Sequence, residues 1–449
     1  MPRSAWLGIA VLCQFIPPAR SAPVEARHRR DLAPKVTDRI DSQWSDWFAY
    51  YKDLHRNPEL SEQERATSAK IAKRLESAGY EVTTNVGGYG VLGVLSNGPG
   101  PVVLVRGDMD ALPIMEETGL SYRSEVQVAQ PDGHTVGVMH ACGHDVHQTC
   151  LLGTATVLAE LRDSWSGTVL AAAQPAEEIG KGARLMLESG IFDRVPRPDY
   201  CIALHVASDQ PAGQLGYTAG WALANVDSVD ITIFGRGGHG SRPNEAVDPI
   251  VAAAQVIMGL QTIVSRRLDP REPGVVTVGS IHGGSKHNII PPQATMQLTV
   301  RSYGEETRQL LLEGIRSITV QTARAMGCPK DPVVHLREDE FTPAAYNAPE
   351  LAEAAVKVLA EALGPDRVIE RKPVMGGEDF GRFPAALEVP GFIFWLGAVE
   401  HGTFEEAKRS GSALPSLHSS KFAPDPEPTI KAGVRALTSI ALSLLDPKG

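Results

Sequence analysis

Three short apolar runs, each leading into chemically reactive side chains, constrain the fold of this chain most. Val102-Val103-Leu104-Val105 is mostly β-branched and runs into Arg106-Gly107-Asp108-Met109-Asp110. Thr168–Ala173 leads through Gln174-Pro175 to the adjacent carboxylates Glu177-Glu178, and Tyr200–Leu204 ends at His205. Runs of this length and composition read as strands buried on both faces. Helical patterns lie between and beside them, at 147–161 and from 182 to 187. Strand–helix alternation predicts an α/β fold, a mostly parallel sheet with helices on both faces. In such a sheet, reactive groups gather at the C-terminal strand ends.

The flanking sequence fits this plan. Trp44, Trp47, Tyr51 and Leu54 recur at helical spacing, and 63–78 reads as a second amphipathic helix ended by Gly79. Near residue 225 the pattern changes. Val229-Asp230-Ile231-Thr232-Ile233 alternates as a half-exposed strand does, and a glycine-rich turn, Gly235–Gly240, follows. A helix from Pro249 to about Val264, strands at Gly274–Ile281 and Ala294–Tyr303, and a helix near 305–326 come next. That order predicts an inserted α+β domain of ferredoxin-like type, about 110 residues long. The α/β pattern returns after residue 340, with a helix at 349–363, a strand at Phe392–Leu396 and a final helix at 428–445. A chain of 449 residues exceeds one ordinary core. The expected domains are therefore 37–224 with 336–449, and an insertion at 225–335.

Residues 1–22 carry a positive start, a short apolar run and small residues near Ser21-Ala22, the pattern of a signal peptide. Residues 23–36 read as a flexible leader. Export to the periplasm or the exterior is expected, with a cytoplasmic location if the segment is retained. The run is short for a membrane span, so the mature form is expected to need no membrane. A formal net charge of −10 and no Lys/Arg-rich run argue against a nucleic-acid partner. Cys142, Cys150, Cys201 and Cys328 show no disulfide spacing, and Cys150 and Cys201 read as small core residues.

The segment His140-Ala141-Cys142-Gly143-His144-Asp145-Val146-His147 places a thiol, three imidazoles and a carboxylate within eight positions. These side chains bind borderline transition metals. Cys142 and His144, two apart before a helix, can reach one metal from a single loop, and His140 and His147 are further candidates. Glu177 and Glu178 are adjacent on a tight turn and are expected to point different ways, one to a metal and one to a water. A metal lowers the pKa of such a water from 15.7 to about 7, and a nearby carboxylate can take the proton and return it to a leaving amine. An adjacent glutamate pair is ordinarily a solvated surface feature; its place at the end of an apolar strand argues otherwise. His205 and His418 bring the donors to five, with Cys142, His144 and Glu178, enough for two metals sharing ligands. The mixture suits zinc and admits manganese, cobalt or nickel.

The ordered set His140-Ala-Cys142-Gly-His144-Asp145, Gln174-Pro-Ala-Glu177-Glu178, Gly238-His239-Gly240-Ser-Arg-Pro243, Asn288-Ile-Ile-Pro291 and Gly376-Gly377-Glu378-Asp379-Phe380 resembles the M20 metallopeptidase family. It is most similar to the amidohydrolase branch that includes hippurate hydrolase, N-acyl-amino-acid amidohydrolases and auxin-conjugate hydrolases. The resemblance implies a two-metal site held by Cys142, His144, Glu178, His205 and His418, with Glu177 as general base and acid. It implies that His239 and Asn288 bind the scissile carbonyl or the substrate carboxylate, and that the inserted domain closes the site and mediates a homodimer. Where many family members carry a metal-binding histidine, this chain has Asp108, so Asp108 and Asp110 are read as residues that orient ligands. No separate role follows for His140, His147, Glu378 or Asp379. The expected reaction is cleavage of an N-acyl amino acid to a carboxylic acid and a free amino acid. Competing readings are a dipeptidase, aminopeptidase or carboxypeptidase of the same fold, or a non-catalytic binding protein stabilised by metal.

Overall fold

The computed structural model describes residues 24, 27, 29–129 and 133–448. The expected signal peptide lies outside them. The first described helix, α1 (Ala33–Arg56), buries Ile40, Trp47, Tyr51 and Leu54 along one stripe. It begins inside the stretch expected to be a flexible leader. Leu32 and Val36 enter the core, which corrects that expectation: two apolar side chains anchor an otherwise polar run.

The chain continues through α2 (Arg65–Ser77), β1 (Glu81–Val86), β2 (Gly90–Ser96) and β3 (Val102–Asp108). It then forms α3 (His144–Glu160), β4 (Thr168–Gln174), α4 (Gly182–Glu188), β5 (Tyr200–Pro211) and β6 (Leu215–Tyr217). The insertion holds β7 (Asn225–Phe234), α5 (Pro249–Thr262), β8 (Gly274–Gly283), β9 (Gln293–Ser302), α6 (Glu305–Ala325) and β10 (Val333–Leu336). The first unit resumes with α7 (Pro349–Leu363), β11 (Val368–Glu370), β12 (Gly391–Val399), α8 (His401–Ser410) and α9 (Pro426–Leu444).

The main sheet has eight strands in the order β1-β2-β4-β3-β5-β12-β6-β11. Its centre, β4-β3-β5-β12, is parallel. The β1–β2 hairpin joins β4 antiparallel and extends one edge. Successive residues of β3 enter opposite cores. Val103 and Val105 face the cluster built with α1, α3, α7 and α9, and Leu104 faces the cluster that holds Phe380 and Phe383. This double burial explains why the central strands read as unbroken apolar runs. β5 runs past His205, so the imidazole sits within the strand and not at its end.

The second unit is a four-stranded antiparallel sheet, β8-β9-β7-β10. β7 alternates buried and half-buried residues along its length, as its sequence alternation requires. Ile231, Ile233, Val256, Leu260 and Ile315 form a separate core under α5 and α6. Pro249–Arg267 is apolar and long enough to cross a membrane by composition, but Ala252, Ala253, Val256 and Leu260 are packed on the sheet. The two connections between the units run antiparallel as a ribbon, Gly220–Leu223 against Ala345–Asn347.

Candidate metal centre

Four segments deliver the donors. Gly143 has φ +77°, and a Cβ there would meet Val206 Cγ2 at 2.5 Å, so only glycine fits the turn that starts α3 at His144. That turn aims Cys142 and His144 at the C-terminal part of β5, and Cys142 Sγ lies 3.5 Å from His205 Nε2. The turn after β4 brings Glu178 Oε1 to 3.8 Å and Glu177 Oε2 to 4.0 Å from His144 Nε2. The 418 loop is clipped to the metal loop by the His418 N–H, which donates to Ala141 O at 2.9 Å. His418 Nε2 then lies 3.5 Å from Glu178 Oε2.

The side-chain separations between the proposed ligands, 3.5 to 3.8 Å, are longer than hydrogen bonds between nitrogen and oxygen. They match the ligand-to-ligand edge of a tetrahedral zinc site, roughly 3.3–3.8 Å for its bond lengths. Cys142, His144 and His205 form one compact donor group, and Cys142, Glu178 and His418 a second that shares the thiol. His144 Nε2 and Glu178 Oε1 are buried and have no hydrogen-bond partner among the described residues. Unpaired buried donor atoms converging at metal-type spacing fit a bound divalent cation.

Hydrogen bonds at the far side of each ring set which nitrogen is free. His144 Nδ1 lies 2.8 Å from Asp110 O, and His205 Nδ1 lies 2.8 Å from Val206 O. A carbonyl accepts only, so each Nδ1 carries the proton and each Nε2 offers its lone pair. His147 is the opposite case. Val206 N–H donates to its Nε2 at 2.9 Å, and its Nδ1–H donates to Asp108 Oδ1 at 2.6 Å. Although Asp108, His144 and His147 also cluster, the His147 lone pair is already used. His140 is buried with neither nitrogen paired among the described residues, and burial pushes it down to about 4, so it is neutral packing.

Burial dominates the electrostatics. It pushes the Glu178 carboxyl up to about 7, against the pull of His144. Burial, then the carboxylates of Glu378 and Glu178, raise Glu177 well above the usual range. Burial also drives the Cys142 thiol well up. Burial pulls His144 down, but Asp108 and the bond to Asp110 outweigh it and hold the ring well above its ordinary value, so a bound cation would displace the proton from Nε2. Acids held protonated by burial are what a bound cation would ionise.

Glu177 and Glu178 were expected to point different ways. Both approach His144 Nε2, because the chain leaves extended geometry after Gln174 and turns at Ala176, where φ is +50°. Asp110 Oδ2 accepts from Ser61 Oγ at 2.6 Å and from Glu178 N at 3.0 Å. Asp108 is held between His147 and Arg106, whose Nη1 lies 2.7 Å away. Arg106 was not singled out in the sequence. It is fully buried, bonding Gln174, Glu378 and Asp379 at 2.8, 2.7 and 3.2 Å. Those two acids lie against Glu177, so Arg106 offsets negative charge behind the site. A lone arginine directly after the apolar run Val102–Val105 was the signal for it.

His239 and Asn288 are not brought to these donors. They are exposed on the second unit and adjacent to each other, with Gly240 N–H donating to Asn288 O at 2.8 Å. Ser241 N–H donates to His239 Nδ1 at 3.1 Å, which leaves the proton on Nε2 as an outward donor.

The sequence profile of Peptidase family M20/M25/M40 matches residues 104–441. The chain is 37% identical to thermostable carboxypeptidase 2 of Saccharolobus solfataricus over 417 residues, covering 92% of this chain and 98% of that protein. It is 38% identical to hippurate hydrolase of Campylobacter jejuni over 332 residues, 74% of this chain and 82% of that protein. Among solved structures, it resembles a dinuclear metal-binding peptidase of the M20 family from Bacillus subtilis. That match has a TM-score of 0.73 and 31% identity, over 90% of this chain and 98% of the other.

Proposed function

Because the chain belongs to peptidase family M20/M25/M40, and so hydrolyses amide or peptide bonds, we propose that it cleaves N-acyl amino acids of the hippurate kind. The products are a carboxylic acid and a free amino acid. The observation that carries this reading is the convergence of Cys142, His144, Glu178, His205 and His418 beside Glu177, in a chain 38% identical to a hippurate hydrolase.

Those five residues would hold two divalent ions, of zinc, manganese, cobalt or nickel. Bound there, such ions acidify water and polarise the scissile carbonyl. Glu177 takes the proton of the attacking water on a carboxylate oxygen and passes it to the leaving nitrogen. Asp110 fixes the His144 ring through its carbonyl and the Glu178 backbone through its carboxylate, while Asp108 holds His147. His239 Nε2–H is the donor for charge developing on the carbonyl oxygen, and the Asn288 amide binds the substrate carboxylate. Both reach the substrate when the second unit swings on the ribbon at 220–223 and 345–347. We further read residues 1–22 as an export signal and the apolar outer face of α5 with β8 as the seat of a second copy in a homodimer.

A carboxypeptidase is the second reading, favoured by 37% identity over 92% of the chain to a protein of that name. The two separate in one assay. Metal-reconstituted enzyme is given N-benzoylglycine, N-acetyl amino acids, unblocked dipeptides and longer peptides, and released amino acid is measured. Preference for the N-acyl amino acids is expected. Cleavage of the peptides alone would move the reading to a peptidase, and no turnover at full metal content would leave a binding protein.

A further inference from the structure

The residue before Glu177 sits in an unfavourable backbone conformation. Ala176 has φ +50°, the left-handed region, and is 1% exposed. A residue with a Cβ stays there only when its surroundings hold it. Two carboxylates hold this turn. Glu64 Oε1 accepts the Ala176 N–H at 2.7 Å, and Asp110 Oδ2 accepts the Glu178 N–H at 3.0 Å. The amide before Glu177 and the amide after it are therefore both tied to buried oxygens. One segment bears on both ties, because Glu64 makes the first and Ser61, three residues before it, donates to Asp110 at 2.6 Å and so supports the second.

The ordinary reading of Glu64 is a helix cap, since it directly precedes α2. It makes no side-chain cap bond to that helix. It is instead fully buried and reaches a backbone amide 112 residues away, with Oε2 unpaired among the described residues. Burying a carboxylate is costly and needs a compensating role. The Ala176 carbonyl completes the turn by accepting from Lys181 N at 3.2 Å and Gly182 N at 3.1 Å, which starts α4.

We propose that Glu64 is a positioning residue for the hydrolysis: by accepting the Ala176 N–H it holds the left-handed turn that aims Glu177 at the metal donors. This rests on Glu177 being the proton-transfer group. Glu64 touches neither substrate nor metal donor in this account. It acts through the backbone.

The test compares Glu64→Gln, Glu64→Asp and Glu64→Ala in the full-length, metal-loaded enzyme with N-benzoylglycine. Glutamine keeps an acceptor oxygen at the same reach without the charge. Aspartate keeps the charge and withdraws the acceptor by one methylene. Glu64→Gln is expected within about threefold of wild-type kcat; Glu64→Asp and Glu64→Ala are expected to lose about 100-fold in kcat with KM within about twofold, the scale of a small misplacement of a reacting group. Bound metal should stay at the wild-type level. Higher kcat for Glu64→Asp than for Glu64→Gln, or unchanged kcat in both, overturns the proposal. If Glu64→Ala does not fold, the order of the other two decides. A crystal structure of Glu64→Asp supplies an arm independent of substrate. Ala176 should leave the positive-φ region and the Glu177 carboxylate should move; an unaltered turn overturns the proposal. Failure of the wild type to cleave any N-acyl amino acid would count against the functional reading, and the crystallographic arm would still decide on Glu64.

Discussion

The backbone N–H of Val206 donates to His147 Nε2 at 2.9 Å, and this bond separates His147 from the histidines that can bind metal. His144 and His205 spend their Nδ1 protons on carbonyl oxygens and keep Nε2 free, whereas His147 has no lone pair to give. His144→Ala should therefore lose bound metal. His147→Gln should keep near-wild-type metal stoichiometry and lose activity by roughly 10- to 100-fold, as removal of a ligand-orienting partner does. Metal analysis of dialysed protein checks both. Equal metal loss in the two variants would make His147 a ligand.

Glu177→Gln should retain metal and lose about 100- to 10,000-fold in kcat, the range ascribed to a positioned general base. Glutamine keeps the size of a side chain that lies 4.0 Å from His144 Nε2 and removes its capacity to take a proton. Full turnover at matched metal content would sink the assigned role.

What the sequence disclosed follows from distance along the chain. Val102–Val105 was legible as a central strand because both of its faces are buried. β2 was not, because Gly93 interrupts its apolar run. Gly93 is there for packing, since a Cβ would press on Tyr80 and Leu75 at 3.1 and 3.2 Å. Cys142 and His144 stood out because they are neighbours in sequence. Arg106 and Glu378 are 272 residues apart, and Glu64 and Ala176 are 112 apart, so nothing local marks either pair. Resemblance pointed to His239 and Asn288, but the fold leaves them exposed on the other unit.

The outer face of the second unit exposes several apolar side chains. Met258 is 69% exposed on α5, near exposed Ile250 and Val251, and Ile281 is exposed on the edge strand β8. Exposed apolar side chains beside an open sheet edge favour association. The wild type should sediment as a dimer at micromolar concentration, and Met258→Asp combined with Ile281→Lys should yield a folded monomer. A wild-type monomer under those conditions would remove the second copy from the account.

Arg106 should be costly to replace. It is the cation among Asp108, Glu378 and Asp379, with all four side chains fully buried. Arg106→Met fills the same space and leaves three acids without it. Removing one partner of a buried ion pair costs about 3–5 kcal/mol, so thermal unfolding should shift by many degrees. Restoring balance with Glu378→Gln should recover part of that loss. No recovery in the double variant would mean that shape, not charge, is what Arg106 supplies.

His55 gives the fold a stability that depends on pH. Its Nδ1 lies 2.7 Å from Asp145 Oδ2 and its Nε2 3.1 Å from Glu116 Oε1, all within the core. Burial pulls the imidazole down, but the bonds to Asp145 and Glu116 outweigh it and raise it from 6.5 to about 9. A group raised on folding stabilises fully below its unfolded value and loses that contribution as pH climbs through its folded value. The window is therefore pH 6.5 to about 9, and the contribution below it is worth roughly 3 kcal/mol. Tm of the metal-loaded enzyme should fall across that window, and His55→Gln should flatten the fall while lowering Tm at its acid end. Because metal affinity also varies with pH, the informative quantity is the difference between wild type and variant at each pH. A constant difference across the window would show that His55 folds uncharged.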